Sequence, residues 1–436
     1  MKKFWIDCVL ATLFVFFTLG GIVKITDLKI FSAFDPLGQA LGDMELTDIA
    51  FSQLRDDPAI DTNIVIINIG ALPRRGVAEQ IRILNKYNPK VIGMDSFFDC
   101  PMNLRDTINC PPMRDPIGNA LLGAAIAEAR NFVLVTRVTQ TDSLFDTGSV
   151  DQYDSLERTD PDIRGNALEG FANLPTDADN QEAFKTCRTF IPRLKVRDDT
   201  VNAFSIQVAK CYAPDKVAKF IARGNYEDVI NYRGNILDFY GVSSFAGRYF
   251  ALDWYQVLNE EFLPSLITDK IVLMGYMGDD FTDTSWDDKF FTPLNKQYAG
   301  KANPDMYGLV VHANIVSMIL AEDYINVMAE WQEWTIAILL CFLNVALFWV
   351  IHHKIPDWFD GITVMLQLIQ IILLSFLMIY FFNWYDFKLN LTITLAALAL
   401  VGTCFEIYVG VLVKTFETVW NSRWLTKRKA KVLTAD

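Results

Sequence analysis

Four apolar stretches frame one long polar block, and that arrangement leaves the chain few ways to fold. Phe4 to Val23 is apolar apart from Asp7 and a few small residues, and Trp334 to Ile351, Ile362 to Phe382 and Leu389 to Val413 follow late in the chain. About 20 apolar residues at helical rise cross a hydrocarbon core of about 30 Å, so each stretch is read as a transmembrane helix. The connections around Pro356 and around Asn383 and Asp386 are short, which makes the last three helices packed neighbours. A chain that is 52% hydrophobic yet carries 39 Lys and Arg and 52 Asp and Glu has to segregate the two kinds of residue. A cleaved signal peptide is the rival reading for the first stretch. That stretch is long for an h-region and lacks a small-x-small site before Lys24, so an uncleaved anchor is expected.

Basic residues set the expected orientation. Lys2, Lys3, Lys354, Arg423, Lys427, Arg428, Lys429 and Lys431 fall on one side of the spans, against Lys388 in the other short loop, and the basic side is cytoplasmic. The expected order is an anchor over 1–23, an extracytoplasmic domain over 24–333, three spans over 334–413 and a basic cytoplasmic tail over 414–436. In a bacterial inner membrane the domain is periplasmic. Trp331, Trp334, Trp384 and Tyr385 stand where an interfacial aromatic belt belongs. The net charge of -13 argues against nucleic acid as a partner, because phosphate contacts need clustered Lys and Arg. The one dense basic cluster, Lys427 to Lys431, reads as a lipid-facing topology determinant or a docking peptide.

Cys8, Cys341 and Cys404 lie in the expected spans, and Cys100, Cys110, Cys187 and Cys211 lie outside the membrane. Four external cysteines allow two disulfides in three pairings. The pairs that close local loops, Cys100 with Cys110 and Cys187 with Cys211, are the expectation.

Within the polar block, Asn63 to Asn68 is a β-branched run, Arg75 to Tyr87 has apolar residues at helical spacing, and Lys90 to Met94 is a second apolar run ending at Asp95. That is a βαβ unit. Ile117 to Ala129 reads as helix and Phe132 to Val138 as strand; Gln140 to Arg164 reads as an aspartate-rich excursion. Phe204 to Tyr212 is expected as helix, Ile230 to Tyr232 and Lys270 to Gly275 as strands, and Val311 to Leu320 as helix. The predicted class is α/β, a mainly parallel sheet with flanking helices, beside an all-α membrane part of four helices. Leu41 to Leu54, between anchor and first strand, has helical spacing and reads as a packed first helix, with a mechanical connector as the alternative.

Several ordered motifs then carry a resemblance. They are Asp48-Ile-Ala-Phe51-Ser-Gln-Leu54-Arg55, Asn68-Ile-Gly70, Pro89-Lys-Val-Ile-Gly93-Met-Asp95 and Asp269-Lys-Ile-Val-Leu-Met-Gly275, followed by Asp283 and Thr292-Pro293. The most specific is Met306-Tyr-Gly308-Leu-Val-Val-His312-Ala-Asn314, running on to Tyr324-Ile325. Together they resemble the type-two CHASE domain, an extracellular sensory module associated with cyclases and histidine kinases and set between one N-terminal and three C-terminal spans. The resemblance implies signal transduction by a sensory protein. Relatives commonly continue into a cytoplasmic output domain, whereas about 20 residues follow Val413 here, too few for a folded enzyme. The expected output is therefore supplied by a separate protein in the membrane or envelope. A structural subunit of an envelope complex is the alternative, and homo-oligomers are compatible with either.

Candidate chemistry is sparse. His312 is the single imidazole of the outer block, which bars a multi-histidine zinc site, and it belongs to the Gly308, His312, Asn314 motif that the resemblance treats as structural. No catalytic residue, cofactor or metal is expected. Gly275 to Asp288 is oxygen-rich, but its spacing does not match a calcium loop, and it lacks the Gly-Lys-Ser/Thr ending of a phosphate loop. Because it follows a strand, a ligand pocket near Asp95, Asp279 and Asp283 is the expectation. Asp7 and Glu406 lie inside spans, where a carboxylate is costly, and are candidates for coupling.

Overall fold

The computed structural model describes residues 2–26, 45–99, 115–141, 144, 153–175, 186–237, 247–296 and 303–415. The chain divides into two units: Met1–Ala50 with Asn326–Asp436, and Phe51–Ile325.

In the second unit the strands β1 (Asp61–Asn68), β2 (Val91–Asp95) and β3 (Phe132–Thr139) alternate with the helices α1 (Arg74–Lys86) and α2 (Pro116–Glu128). Next come β4 (Ser155–Arg158), β5 (Leu168–Phe171), α3 (Phe204–Tyr212), β6 (Asn235–Ile236), β7 (Gly247–Leu252), α4 (Trp254–Leu258), β8 (Ile271–Gly275) and α5 (Gly308–Ala321). The sheet runs β6-β7-β1-β8-β2-β3-β4, with β5 also on β3. Every pairing in it is parallel except β3 with β4. The fold is thus the mixed, mostly parallel α/β sheet with helices that the alternation of runs predicts.

Period two along the strands explains the layering. Val65 and Ile67, Ile92 and Met94, and Val272 and Met274 point to one face, into a core with Val77, Ile81 and Leu84 of α1, Leu122 and Ile126 of α2 and Val257 of α4. The opposite face meets α3 and α5: the position of a Cβ on Gly93 is taken by Phe204 and Val208, and that of a Cβ on Gly275 by Leu309. Residues 308–320 are buried throughout, so α5 is a core helix.

Three sequence expectations shift. Residues 230–232 are no strand: Asp228–Val229 pairs with Thr189–Phe190 instead, and the amides of Arg233 and Gly234 are taken by the Asn314 side chain at 2.9 and 3.4 Å. The excursion from Gln140 to Arg164 contributes β4 and a helical turn, Pro161–Arg164. In the 41–54 segment, residues 41–44 lie outside the described ones; a turn of helix at Leu46–Ile49 passes into a π-helical turn, Ala50–Leu54.

The expected disulfide between Cys187 and Cys211 is not formed. Closeness in sequence misled, because two strands, Arg193–Val196 and Asp199–Asn202, and the length of α3 intervene. Cys187 is buried beneath Tyr232, whose hydroxyl donates to its carbonyl at 2.9 Å, while Cys211 rides the last turn of α3. Cys100 and Cys110 lie outside the described residues.

The first unit holds four helices long and apolar enough to cross a membrane: Phe4–Lys24, Glu330–Lys354, Pro356–Tyr385 and Thr392–Val413. Its core joins Cys8, Ala11 and Val15 to Cys341, Val345 and Phe348, and to Ala397, Val401 and Phe405. Gln367 is buried among them and donates to the carbonyls of Leu398 and Ala399 at 2.6 and 3.2 Å.

One glycine tests the packing of β5 on α3. A Cβ on Gly170 would stand 2.6 Å from Cα and 2.8 Å from N of Phe204, backbone atoms that cannot step aside. Gly170→Ala is expected to destabilise the α/β unit by about 3 kcal/mol, read as a lowered midpoint in denaturant unfolding.

Candidate functional site

The parallel sheet presents its carboxyl edge as a row of three register partners on adjacent strands: Asn68 of β1, Gly275 of β8 and Asp95 of β2. The chain leaves β1 and β2 toward α1 and α2 on one face, and leaves β8 toward α5 on the other. Where neighbouring strands send their connections to opposite faces, a crevice opens above the strand ends, and open α/β sheets bind ligands there.

Asn68 organises the strand ends at that switch point. It is fully buried; its Nδ2 donates to Asp253 Oδ1 at 2.9 Å and to the Gly278 carbonyl at 3.1 Å. Its Oδ1 accepts from the amides of Gly70 and Met277, each at 2.9 Å. One amide side chain thus ties together the loops after β1 and β8 and the start of α4. Asp253 completes the tie by accepting from Trp254 N at 2.9 Å and Phe281 N at 3.2 Å. Burial raises the Asp253 carboxyl, with these hydrogen bonds pulling the other way. Gly70 is required at φ +55, where a Cβ would collide with the Trp254 ring at 2.6 Å.

Of the residues singled out from sequence, Asp279 and Asp283 share the loop after β8. Asp283 accepts from the amides of Ser285 and Asp279 at 2.8 and 3.1 Å, which holds its carboxyl below the usual range. Its charge is thereby committed to shaping the loop. Asp95 is different: burial first, then the charge of Asp288, raise it to about 7, and no hydrogen bond offsets either. Asp288 is itself raised by desolvation to about 6, a rise that solvent at its exposed side chain tempers. The carboxyl whose charge acts on Asp95 is thus Asp288, which precedes the ladder Lys289–Phe290 with Met306–Tyr307 that leads into α5. Asp305, just before that ladder, is likewise pushed by burial to about 7, although Thr292 donates to it from N at 2.7 Å and from its hydroxyl.

The Gly308, His312, Asn314 motif lies on α5 and does structural duty. The Gly308 amide donates to the Asp288 carbonyl at 3.0 Å. His312 is sealed against the Phe204 ring at 5.2 Å; burial lowers it to about 4, against a hydrogen bond to the Ala172 backbone that raises it. It is neutral at physiological pH. Asn314 Nδ2 donates to the carbonyls of Gly234 at 3.0 Å and Val310 at 2.9 Å, pinning residues 233–234. Among the described residues no group of three or more His, Cys, Asp or Glu side chains is placed to hold a metal ion. In the membrane unit Asp7 and Glu406 have different neighbours: the Tyr408 hydroxyl lies 3.5 Å from Asp7, and Glu406 lies near Asp360.

A family model for the CHASE2 domain matches residues 16–347. The chain belongs to the CHASE2 family. It is a multi-pass membrane protein with a CHASE2 sensory domain of the extracytoplasmic type, and several of the motifs that carried the resemblance end the central strands or form α5. No curated protein and no solved structure matches it.

Two outcomes test this CHASE2 site. Asn68→Ala deprives the amides of Gly70 and Met277 and the Gly278 carbonyl of their Asn68 partner, and is expected to cost on the order of 3 kcal/mol in urea unfolding. The raised carboxyls set a pH dependence. Their folded-state pKa exceeds the unfolded value, so their stabilisation is complete below about pH 4 and is lost as pH rises through about 7. The contribution of these carboxyls to the melting temperature of the full chain should therefore fall between about pH 4 and 7, and Asp95→Asn should flatten part of that fall.

Proposed function

We propose that this CHASE2 protein is a non-enzymatic sensory or regulatory component of a bacterial inner membrane. Its periplasmic domain takes a small ligand in the crevice above Asn68, Gly275 and Asp95 and passes its state to a separate membrane or envelope protein. The observation that carries this reading is Asp95: a carboxyl at a topological switch point, raised by burial, without a hydrogen bond among the described residues and opposed by a second carboxyl. A cationic group entering there relieves both the desolvation and the repulsion, so the crevice favours cations over anions. The non-enzymatic reading draws on His312, whose ring is enclosed and spent on packing. The basic flanks at Lys2, Lys3 and Lys354 support a cytoplasmic placement of both termini.

A second reading, a structural subunit of an envelope complex, draws on the exposed apolar positions Ile117 and Leu121 of α2, 59% and 49% exposed. Thermal shift of the purified full chain against a panel of biogenic amines and divalent cations separates the two. The sensory reading expects a rise in melting temperature for a cationic compound that Asp95→Asn abolishes. No shift across the panel, with stoichiometric envelope partners retained in mild detergent, would favour the subunit.

A further inference from the structure

We propose that the short loop between the third and fourth spans, residues 386–391, is the receiving element for the sensory domain, because both chain segments that join that domain to the membrane are fastened to it. The outgoing segment is fastened by backbone. Asn326–Val327 forms a parallel two-residue ladder with Phe387–Lys388, in which Asn326 N donates to the Asp386 carbonyl and Met328 N to the Lys388 carbonyl, each at 2.9 Å. The incoming segment is fastened by side chains. Lys388 Nζ pairs with Glu45 Oε2, and the Thr47 hydroxyl holds that same oxygen at 3.1 Å. The Glu45 amide in turn donates to Asp48 Oδ2 at 3.0 Å, so Glu45 is fixed at the start of the Leu46–Ile49 turn.

Apolar contacts reinforce the polar ones. Met328, Met378 and Leu391 form a buried cluster against which Leu46, Phe387 and Leu389 pack, so the two connectors, the third span and the loop share one small core. Glu333, on the first turn of the second span, accepts from Ile393 N at 3.0 Å and so caps the fourth span at its beginning. A chain with only covalent tethers would deliver a movement of its domain to the first and second spans. Here the shared loop delivers it as well to the hairpin of the third and fourth spans, as a displacement of Lys388 and of the helix start that follows. Coupling of this kind needs an element that both connectors bias, and the loop meets that requirement.

Hydrogen exchange of the full chain in lipid nanodiscs, read by mass spectrometry, is the test. Lys388→Glu sets two like charges face to face; the expected result is loss of protection over 45–49 and 326–328 together, restored when Glu45→Lys is added. Ile325→Ala, or Ile325→Val where the first variant fails to fold, loosens the last residue of the α/β unit. Either is expected to speed exchange over 387–395, and Lys388→Glu should cancel that effect. Val327→Cys combined with Lys388→Cys should form a disulfide on addition of a mild oxidant such as copper phenanthroline, with dissolved oxygen as the electron acceptor, since the two are register partners. The proposal is overturned if Lys388→Glu leaves both connectors protected, if the charge exchange fails to restore them, or if 387–395 ignores the Ile325 variants.

Discussion

A parallel sheet has to be covered on both faces, since its strands carry apolar side chains up and down alike. That constraint places nearly everything else in the α/β unit. Ile64 and Ile66 point one way along β1 while Val65 and Ile67 point the other, and all four are buried. Covering both sides puts the helices after β1 and β2 on one face and α5, after β8, on the other, so that the three central strands end between them at Asn68, Gly275 and Asp95.

The carboxyl edge divides its polar groups into two kinds. Asn68, Asp253 and Asp283 spend their hydrogen-bonding capacity on backbone amides and carbonyls, and so give the loops after β1 and β8 one fixed shape. Asp95 and Asp288 are raised chiefly by desolvation, with the charge of Asp288 adding a smaller push on Asp95. A fixed frame beside desolvated carboxyls is what the proposed cation site would require.

The membrane unit repeats this logic with fewer polar groups. Gln367 bonds backbone carbonyls of the fourth span, Glu333 caps that span's first turn, and Lys388 joins Glu45. Each contact lies where hydrocarbon or the interface leaves a polar group few other partners, so these side chains fix helix registers that an apolar seam alone would leave loose. The sequence marked Asp7 and Glu406, the charged residues, as the couplers. Neutral Gln367 carried no comparable signal, because an amide in an apolar stretch stands out only once the carbonyls it reaches are known.

Runs of apolar residues made the spans, β1, β2, β3, β8 and the major helices legible from sequence, since period 3.6 and period 2 follow from local backbone geometry alone. They also gave the α/β class and, through the ordered motifs, the CHASE2 kinship. Other features rested on partners distant in the chain. Strand β7, Gly-Arg-Tyr-Phe-Ala-Leu, is too short and mixed to announce itself, and it is a strand because β1 lies beside it. Whether Cys187 meets Cys211, that the charge of Asp288 reaches Asp95, and that Lys388 lies against Glu45 are likewise matters of tertiary placement. Local sequence dictates which elements form, through propensity and periodicity; which side chains meet across them depends on how buried surfaces fit, and that information is spread over the whole chain.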